Sequence, residues 1–323
     1  MDMKTSLKEF KKEINNQLLD IHWKQWGCLG IGSQLEEEKR WIIDLEALLG
    51  STIFMGQFDK RLFSSALEWI YEYGEWINVS RLKRIGAFFH KSDDKLNVPL
   101  ASKSIFHVVE NIVKKSKKVD DPKKIQEQVE PYNLPSDYQQ VLEKFKVRRV
   151  TTEPVIQKPP LLQLLLRGFF GINARAEVFL YLMYLKEGSS NQIAKTIQFD
   201  QKIVYRILEK WKDTGIIDKE AGRKYVVSNR DLYSILLKST DNSAKYLNWI
   251  DIFYVSSRVL KALNTTPWEN DAYLLSSFFR HISKDLKRIA RFVNVSASDS
   301  HLFKGEEYLS PFIKDTMGIL KKL

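Results

Sequence analysis

Cysteine is almost missing from this chain. Cys28 is the one cysteine among 323 residues, so there is no pair for an intrachain disulfide and no cysteine set for zinc. That scarcity fits a reducing compartment, and a cytoplasmic location is expected. Long apolar runs are missing too. The most apolar stretch, residues 161–170, falls well short of the ~18–20 residues of a membrane span and contains Arg167. The opening Met-Asp-Met-Lys has no secretory character, and no membrane partner is expected.

Several chemistries fail for want of residues in the right pattern. His22, His90, His107, His281 and His301 include no pair at metal-ligand spacing. Neither a P-loop nor a glycine-rich dinucleotide turn occurs, so no cofactor and no metal are expected. One pattern needs weighing: Ile31-Gly32-Ser33 followed by Asp44-Leu45-Glu46 resembles a nucleotidyltransferase signature. Magnesium-assisted transfer needs both carboxylates on one strand, where alternate side chains share a face. Asp44 reads instead as a helix N-cap accepting from the amide of Glu46 or Ala47, with Ile43 and Leu48 as a hydrophobic staple. Positions two apart on a helix do not face one another. No enzyme is expected.

What is present is positive charge, unevenly placed. The 51 Lys and Arg against 40 Asp and Glu give +11. Residues 1–80 hold 9 basic and 13 acidic side chains (−4), residues 81–124 hold 12 and 5 (+7), and residues 165–232 hold 12 and 8 (+4). An acidic front beside a basic middle suits a chain that turns one face to a polyanion and another elsewhere.

The apolar spacing is mainly helical. Leu7, Phe10, Ile14, Leu18 and Ile21 form one stripe; Phe63, Leu67, Ile70 and Tyr71 form another, ended by Gly74. Ser80 is read as the cap of a helix with Leu82, Ile85 and Phe89, and Ser102 as the start of one reaching Val113. Residues 1–117 are therefore expected as one helical domain. Trp23, Trp26, Trp41, Trp69 and Trp76 are its core, or in part a pocket for a protein partner or ligand. Residues 118–160 hold six of the nine prolines and read as a linker, with one short helix boxed by Ser136 and Gln139. Residues 239–323 read as a C-terminal helical region in three helices, with more apolar surface than one stripe requires. A homodimer built on these helices is expected.

Residues 161–238 are the most specific. A short apolar helix and a second over 173–185 precede a brief helix opened by Ser189 and Gln192. A turn at 198–200 leads to a helix over 201–214, stopped by Gly215. Two β runs, 216–217 and 225–227, flank a tight turn over 220–223. The ordered set Asn-Ala-Arg-Ala-Glu-Val-Phe-Leu-Tyr-Leu at 173–182, Gln-Ile-Ala-Lys at 192–195, Val-Tyr-Arg-Ile-Leu at 204–208, Thr-Gly-Ile-Ile at 214–217 and Arg-Lys-Tyr at 223–225 resembles prokaryotic winged helix-turn-helix regulators of the ArsR/MarR type. The resemblance covers about a fifth of the chain. It implies a transcriptional regulator, a repressor, bound to double-stranded DNA. Separately, Trp41-Ile-Ile-Asp-Leu-Glu-Ala-Leu-Leu49 and Leu67-Glu-Trp-Ile70 are similar to helical regions fused to such domains, some of them antitoxin-like partners of nucleotidyltransferase toxins. An antitoxin or other protein-interaction module is thus the alternative.

The residue chemistry points the same way. Val204, Ile207, Leu208 and Trp211 share one face of the 201–214 helix, which leaves Gln201, Lys202, Tyr205 and Arg206 for a major groove. Ser190, Asn191 and Lys195 on the shorter helix, with Lys219, Arg223 and Lys224 around the wing, are candidates for the phosphate backbone. Glu209, Asp213, Asp218 and Glu220 weigh toward a protein partner.

Overall fold

The computed structural model describes residues 3–32, 36–90, 103–115, 134–148, 151–220, 224–228 and 243–323. The chain is mainly helical with one small antiparallel sheet. Helix α1, Met3–Cys28, buries Leu7, Phe10, Ile14, Leu18 and Ile21 along one stripe. Helix α2, Leu45–Met55, is buried at every position, its polar Glu46, Ser51 and Thr52 included. Helices α3 (Lys60–Tyr73), α4 (Val79–His90) and α5 (Lys103–Lys115) follow it. Helix α6, Ser136–Glu143, docks on this body: Tyr138 and Leu142 are buried, and the Tyr138 hydroxyl donates to the Ile53 carbonyl at 2.6 Å.

Two helix starts differ from the sequence reading. Asn78 Oδ1 accepts from the Arg81 amide at 2.9 Å, so the asparagine caps α4 while Ser80 lies inside the helix. Ser136 is likewise the first residue of α6, after Pro135, and closes no capping box. Ser102, Lys117 and Lys118 lie outside the described residues, as do residues 118–133 and 149–150 of the proline-containing segment.

The chain leaves the body at α7 (Leu162–Phe170) and returns with α11 (Trp249–Ala262), α12 (Ala272–Phe292) and α13 (Leu309–Leu320). These last helices share one apolar core with the front of the chain. Phe253, Leu260, Phe278, Phe279 and Phe312 are buried in the same cluster as Ile14, Leu48 and Phe89. The rings of Phe279 and Phe312 stack with centroids 4.0 Å apart. Their wide apolar faces are therefore covered within the chain, and that width supplies no argument for self-association.

A second core is built mainly from residues 162–227, joined by Ile42 and Ala244. Helix α8 (Ala174–Leu185), strand β1 (Glu187–Ser189), helix α9 (Ser190–Ile197), helix α10 (Gln201–Asp213) and strands β2 (Ile217–Glu220) and β3 (Lys224–Val227) enclose Phe179, Leu182, Ile193, Val204, Leu208, Ile217 and Tyr225. The strands run β1-β3-β2, pairing Gly188 with Tyr225 and Lys219 with Tyr225. Strand β1 escapes the sequence reading because Glu-Gly-Ser has little strand character. A side chain at Gly188 would meet Ile193 Cγ1 at 2.9 Å and Tyr181 Oη at 3.0 Å, which explains the glycine. Helix α7 joins the two cores: Leu164 packs into the body, and Leu162 and Leu166 into the second core.

Among the indoles of the front helices, Trp26 and Trp69 are fully buried. They donate to Thr52 Oγ1 at 2.9 Å and to the Leu29 carbonyl at 2.8 Å, so they serve the core. Cys28 is buried as well, and burial pushes its thiol up to about 12, which disfavours the reactive thiolate. His22 is buried between the Leu18 carbonyl and Ser51 Oγ. Burial lowers it to about 4, against a weaker opposing effect of the Leu18 hydrogen bond.

The unfolded chain thus takes up the His22 proton first as the pH falls. Stability from this residue is complete above about pH 6.5 and is lost by about pH 4, on the order of 3 kcal/mol. Denaturant titrations of the protein and of His22→Gln across that window should show a flatter pH dependence for the variant. Equal slopes would remove His22 as the source.

Candidate nucleic-acid interface

The second core presents α10 on a fixed mount. Asp200 caps α10, its carboxylate accepting from the Lys202 amide at 2.9 Å. Gly215 ends the helix with φ +72°, the left-handed geometry that glycine tolerates. Val204, Leu208 and Trp211 are buried and Ile207 half-buried, so the inner face matches the spacing seen in the sequence.

The outer face carries Gln201, Lys202, Tyr205 and Arg206, all exposed. Ile203 is exposed beside them. The Gln201 amide donates to Ser190 Oγ at 3.0 Å, bringing the starts of α9 and α10 together. Ser189 Oγ accepts from the Gln192 amide at 3.2 Å and caps α9, on which Asn191 and Lys195 are exposed and Ser190 half-buried. Lys195, Lys202 and Arg206 form no ion pair among the described residues.

The strand lysines are in a different state. Lys219 Nζ donates to Glu209 at 2.7 Å and lies 5.1 Å from the Tyr225 ring centroid. Glu209 also accepts from the Tyr225 hydroxyl; these bonds, led by Lys219, hold its carboxyl at about 2. Lys224 Nζ donates to Glu187 at 2.7 Å. Arg223 lies outside the described residues.

Below this face lies an ion-pair cluster that the sequence reading missed. Glu46 accepts from Arg167 Nη1 at 2.8 Å and Nη2 at 2.6 Å, from Arg81 Nη1 at 2.6 Å, and from the Asn78 amide at 2.7 Å. Arg81 also binds both oxygens of Asp44, and its Nε donates to the Ile197 carbonyl at 2.8 Å. Arg167 continues to Glu177, with Nε 2.9 Å from Oε1. The cluster joins α2 and α4 of the body to α7, α8 and the end of α9. Arg84 reaches Asp200 at 3.5 Å and adds a second hold on the turn before α10.

This geometry decides the reading of Asp44 and Glu46. Asp44 caps α2 by accepting from the Ala47 amide at 3.1 Å, as its sequence context predicts, and both carboxylates are neutralised by guanidinium groups. Ser33 lies outside the described residues. No cluster of three metal-ligating side chains occurs among the described residues. No helix there is long and apolar enough to cross a membrane. Comparison of the chain with protein-family models, with curated proteins and with solved structures finds no match.

Burial raises both buried carboxyls of the cluster, but the outcomes diverge. At Glu46 the two arginines outweigh burial and hold the group at about 2. At Glu177 burial prevails and the group lies above its ordinary range, with Oε2 lacking a hydrogen-bond partner. Glu46→Gln should therefore cost about 3–5 kcal/mol, because two buried guanidinium groups lose their shared counter-charge. Glu177→Gln should cost clearly less. Urea denaturation of the two variants checks the order, and equal losses would contradict it.

Proposed function

We propose that residues 161–228 act as a winged helix-turn-helix and that the protein is a DNA-binding transcriptional regulator, a repressor that occludes a promoter. In this reading α9 and α10 are the helix-turn-helix and β2 and β3 the wing. The observation that carries it is the open outer face of α10, where Lys202, Tyr205 and Arg206 are exposed on a helix whose other face is locked in a core. Major-groove reading needs donors there, and arginine bidentate to guanine is the commonest specific contact. Ser190, Asn191 and Lys195 then lie along the backbone. Lys219 and Lys224 exchange Glu209 and Glu187 for phosphates, so each adds less than an unpaired lysine. One α10 spans one stretch of groove, so the reading keeps a homodimer on two half-sites about 34 Å apart, at work in the cytoplasm.

A protein partner is the second reading, in the manner of an antitoxin. It is favoured by Ile203 and Tyr205, 47% and 43% exposed on the same face.

Two substitutions separate the readings. Arg206→Ala should cost about 1–3 kcal/mol on the cognate site and relax specificity there. Lys224→Ala should weaken cognate and random duplexes alike and lower the slope of log K against log salt, by less than the value of about one for an unpaired lysine. Fluorescence anisotropy with promoter DNA of the protein's own operon measures both. Folded variants that bind as tightly as the parent, with an unchanged salt slope, contradict the DNA reading.

A further inference from the structure

A cleft of about 610 Å³ opens where α9 faces the end of α12, between the second core and the body. That volume falls in the range of small-molecule sites. Its charged lining is Lys195 from α9, Arg288 and Arg291 from α12, and Asp251 from α11. Arg288 lies 3.1 Å from Asp251 and 3.2 Å from Asp285, so its charge is already met by carboxylates. The two remaining cations, Lys195 and Arg291, carry a formal +2 between them. Lys195 and Arg291 form no ion pair among the described residues, and both are exposed to the cleft.

Like charges converging on one cleft repel unless an anion lies between them. Arginine's planar fork matches phosphate oxygens, and a phosphate monoester is a dianion that balances +2. Beside the cations the lining mixes apolar and aromatic side chains with the polar Gln192, Thr196 and Asn248. Leu185 and the half-buried Tyr246 line it, and Phe292 stands 41% exposed, open to a flat group.

We propose that this cleft binds a small organic phosphate ester, a dianion with a planar apolar body. The ester's phosphate lies between Arg291 and Lys195 and its body against Phe292 and Tyr246. Lys195 is also a candidate backbone contact, so occupancy draws it away from DNA and lowers DNA affinity. That link rests on the DNA-binding reading; binding in the cleft does not.

The test uses the full chain without DNA and three probes: 1-naphthyl phosphate, 1-naphthol and inorganic phosphate. Naphthyl fluorescence follows the first two, and competition follows the third. The expected result is one site per chain, with the ester held at least tenfold tighter than either fragment. Arg291→Gln, with an unchanged circular dichroism spectrum, should weaken the ester at least fivefold and leave 1-naphthol unaffected. Lys284→Gln, on α12 but outside the cleft lining, should leave both unaffected. The proposal is overturned if either fragment binds as tightly as the ester, or if Arg291→Gln leaves the ester unaffected. It is also overturned if Lys284→Gln causes an equal loss, which would mean diffuse charge. If Arg291→Gln weakens duplex DNA but not the ester, the cleft is part of a nucleic-acid track instead. A second arm adds saturating 1-naphthyl phosphate to the DNA titration, where reduced affinity is expected by linkage. Should the chain bind no DNA, the functional reading fails while the ester titration still decides the cleft.

Discussion

Glu46 is the point on which the arrangement of this molecule depends. Its carboxylate lies fully buried on α2 and receives two arginines, Arg81 from α4 and Arg167 from α7. Arg81 carries the connection to the turn before α10 through the Ile197 carbonyl, and Arg167 carries it to α8 through Glu177. A buried charge without partners is too costly to persist, so each member of this cluster demands the others. The result is a defined placement of the second core on the body, where apolar packing alone would tolerate sliding. Leu164 and Leu166, packed into different cores from one helix, add the apolar part of the joint.

This mount bears on function because α10 is fixed at both ends of its own sequence. Its start is tied to Ser190 through Gln201 and to the body through Asp200 and Arg84. Toward its end, Glu209 is tied to β2 and β3 through Lys219 and Tyr225. A groove-reading helix needs that rigidity, since misplacement of an arginine fork forfeits bidentate geometry. The cleft beside α9 lies along the same joint, where Lys195 faces α12. The proposed ligand there engages Lys195, the same side chain that the proposed DNA reading lays along the backbone.

The local elements were legible in the sequence because their signals are local. The inner face of α10, the Asp44 cap, the Gly215 stop and the apolar stripe of α1 each follow from spacing or from one residue's chemistry. The shared core of the front and C-terminal helices was not, because periodicity reports that a face is apolar and not what covers it. The ion-pair cluster was not either, since Asp44, Glu46, Arg81, Arg167 and Glu177 are scattered over more than a hundred positions. A signal was nevertheless present. Glu46, Arg167 and Glu177 each interrupt an otherwise apolar helical run, where a charge must find a buried partner. Caps at Ser80 and Ser136 were misplaced because neighbouring Asn78 and Pro135 compete for the same role.

The most direct measurement of the central claim is site-specific crosslinking in the full chain. Tyr205 on α10 and Tyr273 on α12 are both exposed, the first on the proposed reading face and the second on the body. Each is replaced in turn by p-benzoylphenylalanine, and the protein is irradiated with duplex fragments from its own operon. The account predicts a protein–DNA adduct from position 205, lost on adding unlabelled duplex, and none from position 273. No adduct at 205, or equal adducts at both positions, would contradict it.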